Sequence, residues 1–110
     1  MKVATVNYAT PRGWNAALPG TLDSPQTLVL AFAAPEFGQR PAPFDELVAA
    51  FPRSLLVGCS TSGEIAGAQV NDATVSVAIA RFEHTQLRRA FTFVTNAADS
   101  YDAGARLAKQ

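Results

Sequence analysis

The sequence is poor in the residues from which most active sites are assembled. Its 110 residues include one cysteine, one histidine, one tryptophan and one methionine. The lone Cys59 leaves no intramolecular disulfide and no cysteine-rich zinc site, and the lone His84 leaves no multi-histidine metal site. Charge is scarce as well. Charged residues make up 16% of the chain, and nine Lys plus Arg balance nine Asp plus Glu. That balance removes the basic footprint of a nucleic-acid binder or of a polybasic membrane anchor. The adjacent basic pair Arg88-Arg89 falls in a predicted strand, where its side chains would point to opposite faces. No apolar run approaches the roughly 20 residues needed to cross a bilayer. The N-terminal "MKVATVNYATP" alternates instead of building the apolar centre of a signal peptide. These absences lead us to expect a cytoplasmic protein with no metal, no cofactor, no nucleic-acid partner and no membrane partner.

What is present is a 48% hydrophobic chain of the length of one domain, 1–110, with enough apolar residues for a real core. Lys2 to Ala9 alternates and reads as a first strand, with Val3 and Thr5 on one face and Ala4 and Val6 on the other. "TPRGWNAALPG" has room for one or two helical turns around Trp14 to Leu18. Thr27 to Ala33, "TLVLAFA", is a short apolar run between Pro25 and Pro35, the pattern of a strand buried on both faces. A proline-rich loop then leads to a helix over Phe44 to Phe51, where Phe44, Leu47, Val48 and Phe51 form one apolar stripe. Pro43 suits the helix start, Asp45 and Glu46 suit its first turn, and Pro52 ends it. Ser54 to Cys59 reads as another strand. Thr74 to Phe82 and Gln86 to Thr95 read as a hairpin joined at "EHT". In Thr74 to Phe82, Val75, Val77 and Ile79 share a face, and small residues on the opposite face would let another layer approach. "NAADSYDAGARLAKQ" reads as a helix capped by Asp99 or Ser100, still in progress at Gln110, which suggests a fragment. The predicted fold class is therefore α/β: a mixed sheet of about five strands with packed helices.

The chemistry concentrates in "LLVGCSTSGEIAG", Leu55 to Gly67, where a strand runs into Cys59, Ser60, Thr61, Ser62, Gly63 and Glu64. Ligands in open α/β sheets tend to sit at the carboxyl ends of strands, where this loop falls. A hydrolase elbow requires G-x-S-x-G, whereas Gly58, Ser60 and Gly63 are spaced one residue too long. A serine triad would have only His84 to draw on. Cys59 is the better nucleophile in principle, yet a lone cysteine after an apolar run more often packs as a small hydrophobe. A P-loop fails because Glu64 stands where the lysine should be. Glu64 itself is either a turn residue accepting nearby N–H groups or the receptor for a ligand's ammonium or hydroxyl group. Trp14 reads as core or rim, and His84 as an exposed turn residue.

The stretch "LLVGCSTSGEIAGAQVNDATVSVAIARF" resembles the signature of the FIST N-terminal domain, with Gly58, Cys59, Ser60, Thr61, Gly63, Glu64, Ile65 and Asp72 at its motif positions. "TLVLAFAAPEF" and "FDELVAAFPRSLLVGCS" are similar to the strand and helix that precede that signature, so the resemblance runs from about residue 27 onward. It implies a sensory module of signalling proteins that binds small ligands, with amino acids as the suggested class. It carries no catalytic residue. The family domain is longer than this chain and is usually followed by a FIST C-terminal domain. A truncated, non-enzymatic FIST N-terminal sensory domain is therefore expected, with Cys59 to Glu64 lining a ligand site. The expected partners are a small-molecule ligand, a second copy of the chain and a signalling protein. The competing expectation is a non-catalytic interaction or dimerisation fragment whose exposed sheet surface binds a partner.

Overall fold

In the computed structural model, which describes residues 1–110, a five-stranded mixed sheet forms the centre of the protein. Its strands are β1 (Lys2–Ala9), the two-residue β2 (Gly13–Trp14), β3 (Thr27–Ala33), β4 (Leu55–Ser60) and β7 (Thr74–Arg81). They lie in the order β2-β1-β7-β3-β4. Only β3 and β4 are parallel, joined through helix α1 (Ala42–Ala50); the other pairings are antiparallel. A small hairpin, β5 (Glu64–Ala66) and β6 (Gln69–Asn71), forms a separate two-stranded sheet. Helix α2 (Ser100–Ala108) closes the described chain order. The α/β class and the mixed five-stranded sheet agree with the sequence reading.

Alternation divides the sheet into two unlike faces. Val6, Val29, Ala31, Val75, Val77 and Ile79 are buried on one of them, as the register pairs Val6 with Val77 and Ala31 with Val77. Leu47 and Phe51 of the α1 segment and Phe37 of the preceding 3-10 turn cover this face and complete the core. Of the predicted helical stripe, Phe44 packs at the core's margin, and Val48 remains 59% exposed. Pro43 and Leu47 carry the buried side of the helix, and Val48 lies off it. Trp14 packs edge-on to Tyr8, with ring centroids 5.3 Å apart. Its indole N–H donates to Glu46 at 2.8 Å, which ties β2 to α1. The turns expected at Trp14 to Leu18 appear instead as one 3-10 turn at Gly20–Leu22.

The strand expected at Gln86 to Thr95 does not form, and neither does its hairpin with β7. Alternation prepares a strand, but a ladder also needs a neighbour, and β7 already lies between β1 and β3. After Phe82, whose N–H still donates to Gln26 O at 2.9 Å, the chain leaves the sheet. It packs instead against α2. Arg106 donates to Phe93 O at 3.1 Å, and the Gln110 carboxamide donates to Phe91 O at 2.9 Å. Asp99 occupies the N-cap position of α2, but its carboxylate accepts from the Thr95 N–H and hydroxyl and from Arg106. Asn96 caps the 3-10 turn that precedes the helix. On α2 only Ala103 is buried, while Tyr101 faces solvent.

Candidate functional site

The sheet's second face is not covered by a helix. Thr5 and Asn7 of β1, Ser76 and Ala78 of β7 and Phe32 of β3 fall there by register. Val3, Leu28, Leu30, Leu55 and Val57 share this face, and Val3, Phe32 and Val57 are exposed on it, so β3, expected to be buried on both faces, is fully buried on one only. The β5–β6 hairpin rises over part of it and leaves a cleft of about 570 Å³ between hairpin and sheet. That volume is within the range of small-molecule sites. The floor includes Asn7, Ser76 and Ala78, and the wall includes Thr61, Gly63 and Ile65 to Gly67.

The motif loop shapes this wall through its glycines and through Glu64. Gly67 has φ of +63° and begins the two-residue turn between β5 and β6, the place where a hairpin turn with glycine at its first central position demands it. A Cβ at Gly63 would lie 3.1 Å from Val70 Cγ1, so a side chain there would push the hairpin outward. The N–H of Thr61 donates to Ala33 O at 2.9 Å and pins the loop to the end of β3. Glu64 is 1% exposed. Its carboxylate accepts from the Thr61 hydroxyl at 2.7 Å, the Thr74 hydroxyl at 3.0 Å and the Thr74 N–H at 3.2 Å. One buried acid thus clasps the motif loop to the start of β7. A buried carboxylate tolerates its position when hydrogen bonds replace its water shell, as they do here. Ser76 adds a second tie, its hydroxyl donating to Ile65 O at 2.8 Å.

The six candidate residues do not converge on one site. Thr61 and Gly63 line the large cleft. Cys59 and Ser60 line a smaller cleft of about 320 Å³ between β4 and the α1 side of the sheet, together with Phe44 and Gly38. Ser62 is exposed at the loop tip and lines neither. Glu64 stands behind the wall with its oxygens turned to Thr61 and Thr74, the scaffolding arrangement among the two weighed for it. The expectation that Cys59 packs as a buried hydrophobe is corrected: the thiol residue is exposed, because β4 is an edge strand with no layer over its end. His84 follows β7 at the end of the sheet where Thr27 pairs with Arg81, whereas Cys59 lies at the end where Ala33 pairs with Ser60. Nearly the whole length of β3, about 20 Å, separates the two ends, so His84 cannot serve Cys59 or Ser60 as a base. No three His, Cys, Asp or Glu side chains converge as a metal site would require.

Asn7, Asn15, Phe32 and Ser76 line the large cleft and were not among the sequence candidates. For Asn7 and Ser76 the signal is the run of small and polar residues alternating with the core positions of β1 and β7, whereas Asn15 and Phe32 lie outside those strands. That run shows that the face is uncovered by bulk, without showing what stands over it.

The chain is thus an α/β domain with one packed sheet face, one open face and a motif loop walling a cleft on that open face. The family model for the FIST N domain matches residues 27–110, and the chain belongs to that family. The family is one of sensory, non-catalytic domains of signal transduction. No curated protein and no solved structure shows a significant similarity to the chain. No helix is long and apolar enough to cross a membrane.

Proposed function

We propose that this chain is a sensory module whose small-molecule ligand sits in the cleft between the open sheet face and the β5–β6 hairpin. The observation that carries the reading is the cleft itself: about 570 Å³, built on one side from the family's motif loop. The hairpin is held by Glu64 and Ser76 to β7, so a ligand bridging hairpin and sheet would couple occupancy to the loop's position. Amino acids are the ligand class that the family resemblance implies. Glu64 is engaged by Thr61 and Thr74 and does not offer its carboxylate to an ammonium group. The experiment is a thermal-shift screen of metabolites on the wild-type chain and on Ala78→Phe, which places a ring in the cleft floor. A ligand that raises the wild-type melting temperature and loses its effect in Ala78→Phe supports the reading. A ligand indifferent to the substitution refutes the placement.

A second reading, a non-catalytic interaction or dimerisation fragment, has its own observation. The outer edge of β4 is unpaired, and Phe91, Phe93 and Tyr101 are exposed beyond the sheet. Free strand edges and exposed aromatic groups favour association. Sedimentation velocity separates the readings. Concentration-dependent association without any ligand response favours a homo-oligomer or partner-binding role.

A further inference from the structure

The lining of the large cleft has a chemical signature that bears on the ligand, provided that the cleft is the ligand site proposed above. No ionisable side chain lines it. Its polar groups come from threonine, serine and asparagine, and their hydrogen-bonding capacity is already partly assigned. The Thr61 hydroxyl gives its proton to Glu64, and the Ser76 hydroxyl gives its proton to Ile65 O. Each therefore faces the cleft with lone pairs only. The asparagines have the opposite bias. Asn15 Oδ1 accepts from the Asn7 N–H at 2.8 Å, and Asn7 Oδ1 accepts from Arg12 at 3.4 Å. The short bond from the Asn7 N–H orients the Asn15 amide, the longer contact from Arg12 favours the same orientation at Asn7, and neither Nδ2 group has a partner.

Acceptors and donors therefore stand side by side. Asn7 pairs directly with Ser76 across β1 and β7, which places their Cα atoms about 5 Å apart with both side chains on the same face. Phe32, 41% exposed, adds an aromatic surface beside them. We propose that the cleft takes an uncharged planar ring carrying adjacent N–H and C=O groups, a lactam or cyclic imide. The ring N–H would donate to the Ser76 or Thr61 hydroxyl, and the ring C=O would accept from the Asn7 or Asn15 carboxamide. The ring would lie against Phe32 and Ile65. A zwitterionic amino acid would bring an ammonium group into a lining with no acid to receive it, and for its carboxylate only Arg12 stands near, beside Asn7 and outside the lining, which disfavours it.

The test is a titration of the full chain followed by amide chemical shifts, with four probes. Uracil carries the alternating N–H and C=O groups, 1,3-dimethyluracil keeps the ring and carbonyls without the N–H groups, and leucine and phenylalanine are the zwitterions. The expected result is that uracil perturbs the amides of Asn7, Thr61 and Ser76, that methylation weakens binding at least about fivefold, and that Asn7→Ala weakens uracil by a similar factor, the worth of about one neutral hydrogen bond. Equal binding of uracil and its dimethyl form would show that the N–H is not read and would overturn the proposal. Binding of leucine or phenylalanine at these amides, with uracil silent, would overturn it while leaving the sensory reading intact. Silence from all four probes also overturns it, and the Ala78→Phe screen then decides separately whether the cleft binds anything.

Discussion

Replacing Glu64 by alanine removes the buried carboxylate that joins the motif loop to Thr74 at the start of β7. The wild-type carboxylate accepts three hydrogen bonds, two from Thr74 and one from Thr61. In the alanine variant the two hydroxyls can rotate to other partners, but the Thr74 N–H cannot, and Thr74 is buried. Leaving such a donor unpaired costs about 1–3 kcal/mol. Removing a buried side chain of this size also leaves a cavity, adding about 2 kcal/mol where the surroundings collapse only in part. The expected loss is therefore about 3–5 kcal/mol, a large share of the 5–15 kcal/mol typical of a domain. Glu64→Gln keeps the shape. Its carbonyl can serve Thr74, and its amide can donate to the Thr61 oxygen, so about 1–2 kcal/mol is expected from weakening charge-assisted bonds. Urea unfolding followed by circular dichroism measures both values. A loss below about 0.5 kcal/mol in Glu64→Ala would refute the clasp and return Glu64 to the ligand-binding role first considered for it.

Leu47 is fully buried beneath the sheet, and Leu47→Ala is expected to cost about 2–5 kcal/mol in the same unfolding assay. Any β-carbon at Gly58 would lie 2.2 Å from Ala31 O, so Gly58→Ala should separate β3 from β4 and destabilise the chain by about 1–3 kcal/mol or more. Cys59 is exposed, and a thiol reagent should modify it completely in the folded protein, without denaturant. The Asp99 carboxyl is held down at about 2, first by its hydrogen bonds from Arg106 and then by the Thr95 N–H. Because its folded value lies below the ordinary 3.8, the contribution of this contact is complete above about pH 4 and is lost as pH falls through 2. Side-chain NMR titration should show that low value in the wild type and its return toward the ordinary carboxylate range in Arg106→Ala.

Where the sequence carried its own boundary signals, the elements were legible. The Thr27–Ala33 strand lies between two prolines, and α1 has Pro43 in its first turn and Pro52 just beyond its end. The alternation of Val75, Val77 and Ile79 set the buried face of β7 correctly. The β5–β6 hairpin was not foreseen, since strands of three residues are too short for alternation to register. Its cue is Gly67 between two short apolar stretches, and the positive φ found there is what such a turn requires. Ala73, with φ of +55°, had no cue at all. Alanine seldom adopts that conformation, and here the residue lies directly before the Thr74 that Glu64 holds. The Gln86 to Thr95 segment has a strand's alternation but no neighbour, and pairing is decided by topology outside the segment itself.

The candidate site shows the same limit at the level of single side chains. "GCSTSGEIAG" places hydroxyls, glycines and one acid within a few residues, and proximity in sequence suggested a shared site. The turn after Ser60 separates them. Thr61 and Gly63 reach the open-face cleft, and Cys59 and Ser60 line the opposite one. Glu64 is the instructive case. A lone carboxylate in a polar loop looks like a receptor for positive charge, yet the nearest donors in space come from Thr61, three residues away, and Thr74, ten residues away. Once those donors occupy it, the acid shapes the wall of the cleft without entering it. The lining passes to the Thr61 and Ser76 hydroxyls, whose protons are spent, and to two asparagine amides whose Nδ2 groups are free. The ligand selectivity argued above follows from that partition of hydrogen bonds, so the clasp at Glu64 and the neutrality of the cleft stand on the same geometry. If Glu64→Gln reorients the Thr61 hydroxyl so that it accepts from the new amide, that hydroxyl becomes free to donate into the cleft. A ligand that only accepts, such as 1,3-dimethyluracil, should then bind the variant relatively better than it binds the wild type. Unchanged relative affinities for the two probes would show that the Thr61 proton plays no part in recognition.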